Sequence, residues 1–243
     1  MKDHLQDIVA HTHSLGFIEL VKITGTDTET KLEAVANDRS VILSAHFNGI
    51  VPEFIGTFGM PNLNKLNTIL NIPEYKENPR VSIVTQTKDK KEIPVGVHFE
   101  NASGDFKNDY RFMSDEVVND KLKTIKFKGV NWDVDFVPTV VGIQRLKYQS
   151  QANSEENTFI AKTDGGNLLF YFGDHSSHAG NFVFQSGVAG NLTKAWSWPI
   201  NAAIGILSLP GDKTLKISDQ GAAMITVDSG LVEYNYILPA QQK

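Results

Sequence analysis

Ala34-Val35-Ala36-Asn37-Asp38-Arg39-Ser40-Val41 reads as an apolar strand, a polar turn and the start of another strand. The same arrangement returns 136 residues later as Leu169-Phe170-Tyr171-Phe172-Gly173-Asp174-His175-Ser176, again with aspartate in the turn. A second pair of features has almost the same spacing. Leu63-Asn64 through Leu70-Asn71-Ile72-Pro73 aligns with Ile200-Asn201 through Leu207-Ser208-Leu209-Pro210 at an offset of 137. Each of these short helix-like runs is opened by a proline, Pro61 or Pro199, the two falling one position out of register. Proline suits a first helical turn because its missing N–H has no partner there. Two unrelated features sharing nearly one offset in a 243-residue chain imply a duplicated domain, each copy able to bury its own core.

Strand signals dominate both copies. In the first, residues 17–23 and 31–36 flank a polar Thr/Asp/Gly segment, and the series continues over 39–47, 53–58, 80–85, 95–100 and 110–113. In the second, 158–163 and 167–172 flank Asp164-Gly165-Gly166, a hairpin turn that glycine permits. Strands 182–185, 215–218, 223–227 and 231–238 follow. Helix signals fall at matching places: 3–13, with Leu5, Ile8 and Val9 as an apolar stripe, and 133–148, with Phe136, Val137, Val140, Ile143 and Leu146 on the buried side. Residues 61–70 and 199–208 form the helices midway through each copy. Each half therefore reads helix, four strands, helix, four strands. Such pieces make an α+β fold of antiparallel sheets with helices covering one face. The polar stretch 115–124 reads as a connector between an N-terminal domain, 1–114, and a C-terminal domain, 125–243. The lysines that follow in close succession, Lys121, Lys123, Lys126 and Lys128, read as a solvated face.

Composition excludes several classes. No cysteine is present, so disulfides, thiolate metal sites and a cysteine nucleophile are ruled out. No apolar run approaches the roughly 20 residues of a membrane span. Met1-Lys2-Asp3-His4-Leu5 lacks the apolar stretch of a secretory signal, and the expected location is the cytoplasm, the host's if the gene is a phage's. A net charge of −5 argues against gripping nucleic acid with the whole surface, but not with one basic face.

Catalytic signatures are missing: no glycine-rich phosphate loop, no Gly-x-Ser-x-Gly elbow, no His-Glu-x-x-His. The expectation is a protein that is not an enzyme and needs no cofactor or metal. His11-x-His13 and Asp174-His175-x-x-His178 have workable ligand spacing, yet the first pair would diverge on a helix and the second lies in a polar turn. Asp38 and Asp174 read as turn formers rather than catalytic carboxylates, being equivalent positions of separate domains. The Ala195-Trp196-Ser197-Trp198 stretch suits sugar stacking, which keeps open a β-rich virion or carbohydrate-binding module with no DNA role.

Three stretches carry a family resemblance. Phe99-Glu100-Asn101 with Asp109-Tyr110-Arg111-Phe112-Met113 resembles the end of the first domain of the eukaryotic DNA sliding clamp, proliferating cell nuclear antigen. The run from Asn157-Thr158-Phe159 through Gly173-Asp174 resembles the opening of a clamp's second domain, and Glu233-Tyr234-Asn235-Tyr236-Ile237-Leu238-Pro239-Ala240 resembles the final strand and tail. The likeness covers nearly the whole chain, with a divergence similar to that of tailed-phage clamps. It implies a ring-forming polymerase processivity factor, a homotrimer of two-domain subunits with helices lining the hole and sheets outside. The partners implied are double-stranded DNA, held topologically and without sequence preference, a DNA polymerase and a clamp loader. Carried onto this chain, the DNA-facing candidates are Arg145, Gln144, Lys147, Lys65 and Asn67, then Lys2 and His11. A partner pocket would involve Val117, Val118, Ile237, Leu238 and Pro239. Subunit contacts would pair strand 110–114 with strand 181–185 of a neighbour, through Tyr110, Phe112, Phe182 and Phe184.

Overall fold

The structure is a computed structural model that describes residues 1–88, 91–123, 127–174 and 178–241. Lys126 and His175, named above, lie outside the described residues. The chain divides into two compact units, one of residues 1–126 with 229–234 and the other of 127–228 with 235–243.

The first unit opens on α1 (Lys2–His11), which buries Leu5, Ile8 and Val9. Four strands follow: β1 (Val21–Gly25), β2 (Thr30–Val35), β3 (Ile42–Phe47) and β4 (Gly56–Met60). They pair antiparallel in the order β4-β1-β2-β3. Strict alternation drives this: Thr30, Leu32 and Ala34 of β2 are buried while their neighbours face outward. Between β2 and β3, the Asp38 carboxylate accepts from the Ser40 N–H at 2.9 Å and the Ser40 hydroxyl at 2.6 Å, as a turn former does. Next comes α2 (Leu63–Leu70), burying Leu63, Leu66, Ile69 and Leu70. It starts two residues after Pro61, with Asn62 at φ 52° as its N-cap, so proline does not occupy the first turn. A second hairpin system, β5 (Arg80–Lys88), β6 (Lys91–Glu100) and β7 (Lys107–Arg111), forms a three-stranded sheet in chain order.

Within the polar stretch read as a connector, residues 115–121 form α3 (Asp115–Lys121). Acidic residues at its first turn favour the helix. Val118 anchors it in the first unit's core, fully buried against Gly59, where even a Cβ would come within 2.8 Å of the valine. Met113 and Gly59 exchange backbone hydrogen bonds of 2.8 and 2.9 Å just before it.

The second unit repeats the plan with one addition. β8 (Val134–Phe136) precedes α4 (Val140–Ala152). The expected helix over 133–148 is thus shifted. Pro138 biases Val137 to an extended conformation, and the Thr139 hydroxyl caps the helix by accepting from the Gly142 N–H at 3.0 Å. Then come β9 (Thr158–Asp164), β10 (Asn167–Phe172), β11 (Gly180–Ser186) and β12 (Ser197–Pro199), ordered β11-β10-β9-β12. α5 (Ile200–Leu207) occupies the place of α2 at the offset of 137. It is followed by β13 (Asp212–Ser218), β14 (Ala222–Asp228) and β15 (Val232–Pro239), the last belonging to this unit from residue 235 on, in the order β15-β14-β13-β8. Among the described residues three strands, not four, follow the second helix of each unit. No helix among them is long and apolar enough to cross a membrane.

Candidate nucleic-acid interface

In the first unit α1 and α2 pack side by side, and their outward positions are mostly polar. Lys65 on α2 is exposed. Asn67 is half-buried, its side-chain oxygen accepting from Asn71 at 2.9 Å. Lys2 is committed elsewhere, donating to the Tyr75 carbonyl at 2.6 Å. His11 cannot face DNA: it is only 2 % exposed, stacked on Tyr234 at 4.6 Å, with Nδ1 3.2 Å from the Asp7 carboxylate. Its helical phase places it on the buried stripe one turn beyond Ile8 and Asp7.

In the second unit α4 exposes Gln144 and Arg145 and half-exposes Lys147. The face assigned to the core is different from that read in the sequence. Gly142 and Leu146 are buried, while Val137 and Val140 are 68 % and 83 % exposed. The cause is at Gly142, where an added Cβ would lie 2.5 Å from the Phe184 carbonyl. The helix backbone rests directly on β11 there, and Val140, two positions away, is turned about 200° to the opposite side. Val141 and Tyr148 are also exposed, at 60 % and 62 %. On α5 the exposed Asn201, and Ser208 that caps its C-terminus, carry no charge. The helix faces therefore offer a sparse cationic set, Lys65 and Arg145 with half-buried Lys147, against exposed Asp3.

The expected assembly strands are both sheet edges: β7 borders the sheet β5-β6-β7, and β11 borders β11-β10-β9-β12. Edge strands present unpaired backbone N–H and C=O groups. Two of the four aromatic side chains expected to meet a neighbour do not point outward. Tyr110 is buried and donates its hydroxyl to the Pro61 carbonyl, and Phe184 is buried against Phe170 with ring centroids 4.3 Å apart. Each sits on the inward phase of its strand. Burial drives the Tyr110 phenol far above its usual range. Phe112 and Phe182 are half-buried. Beside β7 lies a hollow of about 310 Å³ lined by Pro61, Lys65, Tyr110, Phe112 and Met113. Beside β11 stands the exposed Val140, Val141 and Tyr148 face of α4. Reading Val140 as core hid this face, and only the bulkless Gly142 in an otherwise apolar run signals it.

The expected partner pocket is reduced. Val118, Ile237 and Leu238 are buried, and since Ile237 and Leu238 are adjacent on β15 and point to opposite faces, the strand is covered on both sides there. Val117, 45 % exposed, and half-buried Pro239 remain accessible. The sugar-stacking pair also dissolves: Trp198 is 2 % exposed, and the Trp196 indole donates to the Asp219 carbonyl at 2.8 Å.

No protein-family model and no curated protein sequence matches the chain. Solved structures do. A structure of A. fulgidus PCNA bound to the C-terminal region of FEN-1 covers all of this chain and 95 % of its own, with a TM-score of 0.67 at 10 % identity. PCNA from Thermococcus kodakaraensis gives 0.67 at 10 % identity over 99 % of this chain and 97 % of its own. The PCNA2–PCNA3 complex from Sulfolobus tokodaii gives 0.64 at 11 % identity over 98 % and 96 %. The chain has the sliding-clamp fold.

Proposed function

We propose that this protein is a sliding clamp, of the divergent kind seen in tailed phages, that closes into a homotrimeric ring around double-stranded DNA and tethers a DNA polymerase placed there by a loader. The observation that carries this reading is the matched pair of edges. Among the described residues β7 and β11 each have one unpaired side, one beside a hollow lined by Tyr110, Phe112 and Met113 with Lys65, and the other beside the exposed Val140, Val141 and Tyr148 face. Pairing β7 of one copy with β11 of another satisfies both backbones and covers that face. Lys65 and Arg145 supply weak, sequence-independent phosphate contacts, and a clamp must not bind tightly because it slides. Such a protein is a scaffold and catalyses no reaction.

Because the natural chain has no cysteine, the pairing has a clean test. A protein carrying both Arg111→Cys and Asn181→Cys should oxidise to a covalent trimer, and light scattering of the unmodified protein should give three times the chain mass. The ring should stay on nicked circular DNA, run off linear DNA and lengthen polymerase products. A monomer at micromolar concentration with no cross-link would refute the proposal.

A further inference from the structure

The two units enter their first helices differently. In the second, β8 leads into α4 and pairs antiparallel with β13, matching Val134 to Ile217, Asp135 to Lys216 and Phe136 to Leu215. The Lys216 ammonium lies 3.1 Å from the Asp135 carboxylate, so this pairing joins apolar contacts with a charge contact. In the first unit the strand equivalent to β13 is β5, the first after the mid-unit helix and likewise half of a hairpin. Among the described residues no strand pairs with the outer side of β5.

A long bare edge of nine residues, free of proline, is an unusual thing to leave open. Beside it lies a cavity of about 500 Å³ whose lining includes Ile55, Val81, Ile83 and Pro94, with Glu53 and Glu92 as its charged side chains. Ile55 is 43 % exposed there. The Thr85 and Thr87 hydroxyls hold the Glu92 carboxyl below its usual range, keeping it ionised. At Pro94 this cavity adjoins a second of about 790 Å³, whose charged side chains are Asp115 and Glu116.

We propose that the outer edge of β5 is a docking slot for an extended segment of a partner protein, one that alternates apolar residues with lysine or arginine and lies antiparallel to β5 as β8 lies against β13. Backbone pairing supplies affinity, the apolar floor takes every second side chain, and the carboxylates select the basic ones. The slot is separate from β7 and β11, so it is filled without disturbing assembly through those edges.

Fluorescein-labelled Lys-Val-Lys-Val-Lys-Val-Lys tests this by anisotropy and amide hydrogen exchange on the full chain. Binding should saturate at one peptide per chain, slow exchange within residues 80–88 and weaken about tenfold or more in Ile83→Lys. The surface pair Glu53→Lys with Glu92→Lys, which leaves the core untouched, should weaken it equally, with the melting temperature held. Equal binding of Glu-Val-Glu-Val-Glu-Val-Glu, protection outside β5, or affinity unchanged in the variants would overturn the proposal. So would β5 protection that grows with protein concentration in the absence of peptide, which would mean that a second copy fills the slot. Trimer mass measured alongside separates failure of the slot from failure of the ring.

Discussion

Three side chains converge on the Asp7 carboxylate: Tyr234 donates its hydroxyl at 2.8 Å, Ser229 donates at 2.9 Å, and His11 Nδ1 lies at 3.2 Å. Burial alone would push this carboxyl up, but the hydrogen bonds from His11, Tyr234 and Ser229 outweigh it and hold it below its usual value. The unfolded chain therefore binds this proton more readily than the folded one. Stabilisation is complete above the ordinary carboxylate range and is lost as pH falls through the depressed folded value. Asp7→Asn should lower the unfolding free energy at pH 7 by about 1–3 kcal/mol, as expected when buried donors lose a charged acceptor. Urea titrations at neutral pH and in acid should show the gap between variant and parent narrowing in acid. His4 gives the same sign of pH dependence through the opposite charge preference. Burial lowers its pKa, so the fold favours the neutral ring, and its contribution should weaken as pH drops through the ordinary histidine value of 6.5.

Among the elements, α4 separates what the sequence makes plain from what it hides. Removing the hydrogen in Gly142→Ala gains about 1 kcal/mol of helix propensity, but the new methyl would meet the Phe184 carbonyl. Overpacking costs about 1–3 kcal/mol, so a net loss is expected, read as a fall in melting temperature. The helices α2 and α5 were legible because Leu63, Leu66 and Leu70, and Ile200, Ala203 and Leu207 at the offset of 137, are apolar groups at helical spacing. The phase of α4 was not, since its closest approach is made by a residue with no side chain while Val137 and Val140 face outward. α3 escaped notice because one valine, Val118, carries its burial. β8 was absorbed into a helix because three residues leave too short a pattern to show a two-residue period. For the candidate site, edges β7 and β11 were expected only from the family resemblance, whereas which aromatic on each points inward depends on register.

For the whole molecule, a net charge of −5 and an enclosed duplex are compatible only if the few outward helix cations act locally. Lys65→Glu combined with Arg145→Glu should shorten residence on nicked circular DNA and flatten its salt dependence by roughly one unit of log–log slope per lost contact. The melting temperature should hold, both side chains being exposed. Val140→Glu with Val141→Glu should weaken trimer formation about tenfold or more, because it places charges on the face to be covered. Analytical ultracentrifugation reads that shift as a larger monomer fraction at equal concentration.

In the proposed ring the two edges are different strands of one chain, so their contact would be head-to-tail, and every copy that joined would present a fresh acceptor. Only the angle turned per step decides whether such a chain of copies closes after the third or runs on as a filament. A substitution that altered this angle while sparing both strands would leave each protomer well folded and yet convert a finite ring into fibres.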